Sequence, residues 1–193
     1  DDQTSKNLII NTNDNNIQLN AANTIDIANS VELRRVMVIG LNGYYASSSD
    51  GIYWDISGNI STNKLKHIIW VKEQEKFVII GDNGFIATST DSSNINITSN
   101  IISVNTLNSI AWSPELQIYL ILGKTNNNTT FTATSDDAIT WSNNTEFNDI
   151  QHLSSVIWVA ELKRFICVGS YIPNNEINYY GFYMSTPNGI NWD

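Results

Sequence analysis

Four short apolar stretches recur along this chain, each introduced by a polar turn and each ended by a glycine. They cover residues 32–40, 75–81, 115–123 and 161–169. Their closing glycines are 41, 42 and 46 residues apart. A short apolar run bounded by turn residues is typical of a buried strand, and a glycine there ends the strand or lets another backbone approach.

Two further signals stay in phase with these stretches. Apolar runs that end in Trp70, Trp112 and Trp158 precede the last three stretches and are 42 and 46 residues apart. A polar turn that leads to another Trp follows three of the glycines, at residues 48–54, 135–141 and 186–192. The second copy, residues 91–97, has Ile97 where we expect the Trp. Asp-Gly or Asn-Gly between short strands predicts a tight hairpin turn, because such turns need positive φ angles.

The order of these signals predicts four short strands in every 42 to 46 residues, which is the length of one β-propeller blade. We therefore predict an all-β fold, a β-propeller or partial propeller of four-stranded blades, with little helix. The expected domains are an N-terminal arm at 1–30 and a repeat domain at 31–193, with blades at about 31–55, 66–97, 108–141 and 154–193. The first copy lacks a Trp strand, so either the N-terminal segment supplies a strand or the repeats belong to a longer propeller.

The N-terminal segment has a different, shorter period. Leu8/Ile10, Ile17/Leu19 and Ile25/Ile27 form alternating apolar pairs that are 9 and 8 residues apart. Strands this short cannot bury their apolar face alone. The pattern resembles the shafts of viral fibres, in which three chains wrap together. The alternative is an arm that packs on the repeat domain or on a neighbouring subunit.

The Trp turn resembles the Asp-box, or BNR repeat, whose pattern is Ser-x-Asp-x-Gly-x-Thr-Trp. The acid or amide lies four residues before Trp here, whereas the family places its Asp five before, although Asp136 also occupies the family position. The resemblance implies a structural turn, in which the Asp holds the loop and the aromatic packs between strands. The residues to which we assign this role are Asp50, Gly51, Trp54, Asp137, Trp141, Asn188, Gly189 and Trp192.

Composition and charge exclude several classes of function. The net charge is -9, which repels a phosphate backbone, so we expect no nucleic acid partner. No apolar window is long enough to span a membrane. Cys167 lies in an apolar strand pattern and reads as a buried small hydrophobe. The two histidines and this one cysteine cannot supply a zinc site, and we predict neither a metal nor a cofactor.

A sialidase is the enzyme most suggested by the Asp-box resemblance. Sialidases need three converging arginines, and this chain has only Arg34, Arg35 and Arg164. Arg34 and Arg35 should point to opposite sides of an extended strand, and Arg35 and Arg164 occupy the same repeat position. We therefore predict no catalytic residues.

Exposed aromatic residues are the best candidates for binding. Tyr rings stack on sugars, and loops that vary between repeats carry function. The candidate glycan-binding residues are Tyr44, Tyr45, Tyr53, Tyr179 and Tyr180, the last two in the longest insertion, 171–181. Alternatively, alternate tyrosines in each run belong to the core and the others to the sheet surface.

The Asn- and Ile-rich repeats resemble those of phage tail fibres and of giant-virus surface or fibre proteins. That resemblance implies a non-enzymatic virion-associated module on the virion surface or outside the cell. Its expected partners are other virion proteins or identical subunits, and host glycans. The alternative is a secreted Asp-box lectin or a sialidase-like glycosidase relative.

Overall fold

The computed structural model of the chain describes residues 26–30, 35–98, 104–127, 129–173 and 177–193. These residues form four antiparallel sheets, and in each sheet the strands follow one another in chain order. No α-helix occurs in this part of the chain; two single 3₁₀ turns lie at Leu41–Gly43 and Lys72–Gln74. The all-β class predicted from the repeat is therefore confirmed.

The strands of the first two sheets are short, between three and seven residues long. The first sheet contains β1 (Asp26–Ser30), β2 (Arg35–Ile39), β3 (Tyr44–Ser48) and β4 (Trp54–Asn59). The second sheet contains β5 (Leu65–Val71), β6 (Lys76–Gly81), β7 (Ile86–Ser89) and β8 (Asn96–Thr98).

The third and fourth sheets have longer strands. The third contains β9 (Val104–Ser113), β10 (Ile118–Thr125), β11 (Thr130–Ser135) and β12 (Ser142–Phe147). The fourth contains β13 (Ile150–Val159), β14 (Arg164–Tyr171) and β15 (Tyr180–Thr186). Beyond β15, the backbones of Ser185 and Asp193 exchange two hydrogen bonds, at the place where a fourth strand pairs in the other sheets.

The first strand of each sheet lies beside the first strand of the next sheet. Contacts join β1 to β5, β5 to β9 and β9 to β13. Each sheet therefore has a front face toward the following sheet and a back face toward the preceding one. The sheets stand side by side like blades around their first strands.

Three apolar clusters fill the spaces between successive sheets. Between the first and second sheets, Met37 and Ile39 pack with Phe77 and Ile79. The other two interfaces follow the same rule, and their buried residues include Val78, Ile80, Tyr119 and Ile121, then Leu120, Leu122, Phe165 and Cys167. Each fully buried side chain of this size contributes about 1.5–3 kcal/mol relative to an exposed one. Side chains alternate along the second strand of each sheet, so this strand places apolar residues on both faces.

Three of the four repeated glycines sit where another backbone comes close. A Cβ atom at Gly81 would lie 2.4 Å from the Lys64 carbonyl oxygen, and one at Gly169 would lie 2.3 Å from that of His152. At Gly123 it would lie 2.5 Å from the Phe131 ring and 2.7 Å from the Thr106 carbonyl oxygen. Gly40 has nothing within 4 Å of such an atom. The interpretation that another strand approaches is thus correct for the last three glycines.

The first sheet begins earlier than the sequence boundary at residue 31. β1 pairs with β2 in register, with Ile27 opposite Val38 and Asn29 opposite Val36. Residues 26–30, which the sequence analysis assigned to the N-terminal arm, are therefore the first strand of a sheet. The pairs Leu8/Ile10 and Ile17/Leu19 lie outside the described residues, so the fibre-shaft interpretation stays a prediction.

Candidate functional site

The turn that follows the third strand has one hydrogen-bond pattern in all four sheets. One side-chain oxygen accepts two successive backbone N–H groups, two and three residues further along the chain. The distances are 2.8 Å at Asp50, 2.7 Å at Asp137 and 3.0 Å at Asn188. Asp91 does the same in the second sheet, at 2.9 and 2.7 Å.

A hydroxyl two residues before the acid completes each turn. Ser48, Ser135 and Thr186 accept from the N–H three residues on, at 2.8 to 2.9 Å, and Ser89 does so from Ser92 at 2.9 Å. The residue that donates has a positive φ in every copy; the four are Gly51, Ser92, Ala138 and Gly189. The capping hydroxyl thus lies six residues before the Trp position, whereas the Ser of the Asp-box pattern lies seven residues before it.

The carboxylates of these turns are held ionised by their hydrogen bonds. The N–H groups of Tyr53 and Ile52 lower the pKa of Asp50, and the N–H of Asn94 lowers that of Asp91. At Asp137, burial on its own would raise the pKa, but the N–H groups of Thr140 and Ile139 outweigh it and lower it. Backbone donors stabilise the charged form, so these acids are suited to holding a loop.

The aromatic residue of the turn packs between sheets in the third and fourth sheets. Trp141 belongs to the cluster between the second and third sheets, and Trp192 lies 6.0 Å from Phe147 between the third and fourth. In the second sheet this place is taken by Ile95, so the assignment of Ile97 to it is wrong. The turn begins at Ser89, which shifts the register by two residues. The indole nitrogens of Trp54, Trp141 and Trp192 are buried without a partner.

The structure separates the first group of candidate tyrosines. Tyr45 is buried in the cluster between the first and second sheets, which removes it from the glycan-binding set. Its neighbour Tyr44 points to the other face because side chains alternate along β3, and burial raises its pKa. Tyr53 is 77% exposed but lies in the turn at the opposite end of β3. These three residues therefore do not form one surface.

In the second group, Tyr180 packs on Tyr171, a residue that the sequence analysis did not select. Tyr171 and Tyr180 are opposite each other on β14 and β15, and their ring centroids are 6.0 Å apart. Phe182 contacts the same Tyr171 ring at 6.1 Å. Tyr179 adjoins this pair and is 68% exposed. We call Tyr171, Tyr179 and Tyr180 the tyrosine surface. Tyr183 points to the other face of the sheet.

A polar chain across the first strands is a feature that the sequence analysis missed. Lys66 Nζ donates to Asn108 Oδ1 at 3.0 Å, and Asn108 Nδ2 donates to the Leu153 carbonyl at 2.9 Å. Both residues lie at bulges of the strand register. Lys66 also lies 3.3 Å from Asp82. Lys66 and Asn108 lie at the same distance before the repeated glycine of their sheets, but their residue types differ, so the repeat does not reveal them.

The next residue after each bulge accepts a hydrogen bond from the following sheet. The Ile110 N–H donates to His67 Nδ1 at 3.0 Å, and the Val156 N–H donates to Ser109 Oγ at 3.1 Å. Backbone groups that face away from their own ladder are satisfied in this way. His67 is thus a link between sheets.

The two described arginines are paired, and the cysteine is buried. Arg35 bonds Ser47 and Asp55 in the first sheet, and Arg164 bonds Ser185 and Asp193 in the fourth. Burial raises the pKa of the Cys167 thiol to about 12. No group of metal-ligating side chains occurs among the residues described. No helix there is long and apolar enough to cross a membrane.

Comparison with known proteins supports the fold and nothing finer. No family model matches the chain, and no curated protein matches it significantly. A solved structure of the Kuenenia stuttgartiensis hydrazine synthase matches 83% of this chain and 49% of its own, with a TM-score of 0.65 and 8% identity. The nidogen/laminin complex matches 86% of this chain and 61% of its own (0.64, 11%). The Dos1 propeller matches 74% and 41% (0.56, 12%).

The described chain spans about half the length of these structures. At such low identity the likeness concerns the fold alone. Together with the four meandering sheets, it establishes a β-propeller or partial-propeller fold, in which the described residues form four blade-like sheets.

Proposed function

We propose that this chain is a non-enzymatic module of a virion surface, which makes protein contacts in an assembly and binds host glycans through the tyrosine surface. The observation that carries the proposal is the exposed group of Tyr171, Tyr179 and Tyr180 at one end of the fourth sheet. Exposed tyrosines with little conformational entropy to lose are suited to partner surfaces and to sugar rings.

The repeated polar residues have structural roles, which leaves the residues outside the repeat as the candidates for binding. The acids of the turns hold backbone N–H groups, and the residues at and directly after the bulges link neighbouring sheets. Arg35 and Arg164 each pair with an aspartate of their own sheet, so neither is presented as part of an arginine clamp. The tyrosine surface, in contrast, belongs to the fourth sheet and does not recur in the other repeats.

The virion assignment rests on the resemblance of the repeats to those of phage tail fibres and giant-virus surface proteins. The Asp-box resemblance gives the second candidate, a secreted lectin or sialidase-like relative. The shared turn of Ser48 and Asp50, found in all four sheets, favours this candidate because it reproduces an Asp-box-like loop. Both candidates use exposed aromatic residues to contact sugars.

Two measurements distinguish these candidates. An antibody against residues 177–193 should label purified particles, and brief surface proteolysis should remove the signal. Detection of the protein only in free form in the medium would favour the secreted lectin. The purified chain should hydrolyse a fluorogenic sialoside no faster than buffer; turnover above that background would refute the non-enzymatic assignment.

A further inference from the structure

The front face of the fourth sheet repeats a surface that is covered in the other sheets. Val168 is paired with Ser155 and Tyr183, as Leu122 is paired with Ser109 and Thr132. Ile80 holds the same register position in the second sheet, between His67 and Ile86. We call Ile157, Ile166, Val168 and Tyr183 the open face.

The open face is apolar but exposed. Val168 is 46% exposed, Ile157 56% and Tyr183 80%. The equivalent residues of the third sheet, Leu122 and Thr132, are completely buried against the fourth sheet. An exposed apolar group of this kind marks an interaction surface.

The open face also carries the polar acceptor of the other interfaces. Ser155 stands where His67 and Ser109 accept an N–H from the next sheet. In both described cases the donor is the residue after that position in the next first strand, Ile110 or Val156. The open face therefore has both features by which the other sheets dock: the apolar side chains and the side-chain oxygen that accepts a backbone N–H.

The back face of a covering sheet has a recognisable composition. Each covering sheet brings a Trp packed on an aromatic residue of its second strand, as in Trp112 on Tyr119 and Trp158 on Phe165, with centroids 4.5 and 4.8 Å apart. In the first sheet the corresponding pair is Asn29 and Val36. The first sheet of a second copy would therefore bring neither aromatic.

We propose that the open face docks a fifth sheet of the same repeat, provided by the same polypeptide in a longer form of the protein. This inference is independent of the proposed function. The solved structures that the chain matches are about 1.4 to 1.8 times its length, which is consistent with further sheets. The interface continues the three that are already described.

The test extends the chain with its own repeat. A second copy of residues 143–193 is appended after Asp193, so that Trp192 is followed by the same strands that follow Trp141. The single substitution Tyr183→Cys in the original sheet then reports on the open face by thiol labelling, because the native Cys167 is buried. Tyr53→Cys, in an exposed turn of the first sheet, is the matched control.

We expect the Tyr183→Cys thiol to react at least about tenfold more slowly in the extended chain, and Tyr53→Cys to be unchanged. The substitution Phe165→Asp in the appended copy should restore fast labelling. The appended copy carries Cys167→Ser, so that its own cysteine adds no labelling. Equal labelling in the two chains would then overturn the proposal, because the same segment folds on the equivalent face of the third sheet.

Two other outcomes would name a different occupant and also overturn the proposal. Labelling of the unextended chain that slows as its concentration rises would indicate a second copy. Slow labelling of the unextended chain at every concentration, relieved by deleting residues 1–25, would indicate that the N-terminal segment covers the face.

Discussion

Phe131 lies across Gly123 so closely that a Cβ atom on the glycine would stand 2.5 Å from the ring. The Thr106 carbonyl oxygen closes the same space from the first strand of the sheet. Gly123→Ala should therefore lower the free energy of unfolding by about 1–3 kcal/mol or more, since neither backbone nor ring can withdraw easily. Urea unfolding measures this effect.

Gly40→Ala is the matched control, because nothing lies within 4 Å of its Cβ position and its φ of -163° is ordinary extended backbone. It should change the free energy of unfolding little. Equal losses at the two glycines would show that close approach is not what the repeated glycine provides.

The Ser109 hydroxyl provides one of the hydrogen bonds between the third and fourth sheets. Ser109→Ala leaves the Val156 N–H without its acceptor in a buried place, which should cost about 1–3 kcal/mol. Ser155→Ala removes the same atom from the open face and should be nearly neutral in this chain. A comparable loss in both variants, measured by urea unfolding, would contradict the assigned role of Ser109.

The fold was largely predictable and the links between sheets were not. The repeated glycine and the Trp positions can be recognised because the same residue types recur at a constant spacing. The bulge positions carry Lys66 and Asn108, two different chemistries that make the same cross-sheet contact, so no repeated letter reveals them. A bulge is visible only when the register of the paired strands is known.

Two errors at the site also have physical causes. Ile95 was missed because Ser92 replaces the turn glycine and still adopts a φ of 62°, which hid the start of the turn. Tyr45 was placed on the surface with Tyr44, although adjacent residues of a strand point to opposite faces. Sequence alone does not tell which of the two is inside.

Acid should weaken the fold through the turn carboxylates. The folded pKa values of Asp50, Asp91 and Asp137 lie below the ordinary value of 3.8, so their contribution is complete above that pH and is lost as the pH falls through the folded values. Asn188 holds the same turn with an amide oxygen, at slightly longer distances. The triple Asn variant at these aspartates should therefore fold.

We expect the urea midpoint of the triple variant to fall less than that of the native chain between about pH 5 and pH 3. The native chain should be the more stable of the two at the upper end of that range. Parallel decreases in the two proteins would show that other carboxylates cause the acid sensitivity.

Thr132 offers a stabilising substitution. Its hydroxyl is completely buried and has no hydrogen-bond partner, on the face that packs toward the fourth sheet. Thr132→Val keeps the shape and removes the unpaired group, which should raise the free energy of unfolding by up to about 1–2 kcal/mol. Thr130→Val is the contrast, because its hydroxyl bonds the carbonyls of Phe147 and Ile150 and its loss should destabilise.

The central claim is that recognition resides in the tyrosine surface, and that the repeated residues build the blades. A glycan array probed with the native chain and with the Tyr179→Ala/Tyr180→Ala, Tyr53→Ala and Asp137→Asn variants tests it most directly. We predict binding by the native chain, its loss in the double variant, and its retention in the other two. Absence of binding by the native chain, or binding that survives the double variant and is lost with Tyr53→Ala or Asp137→Asn, would contradict the claim.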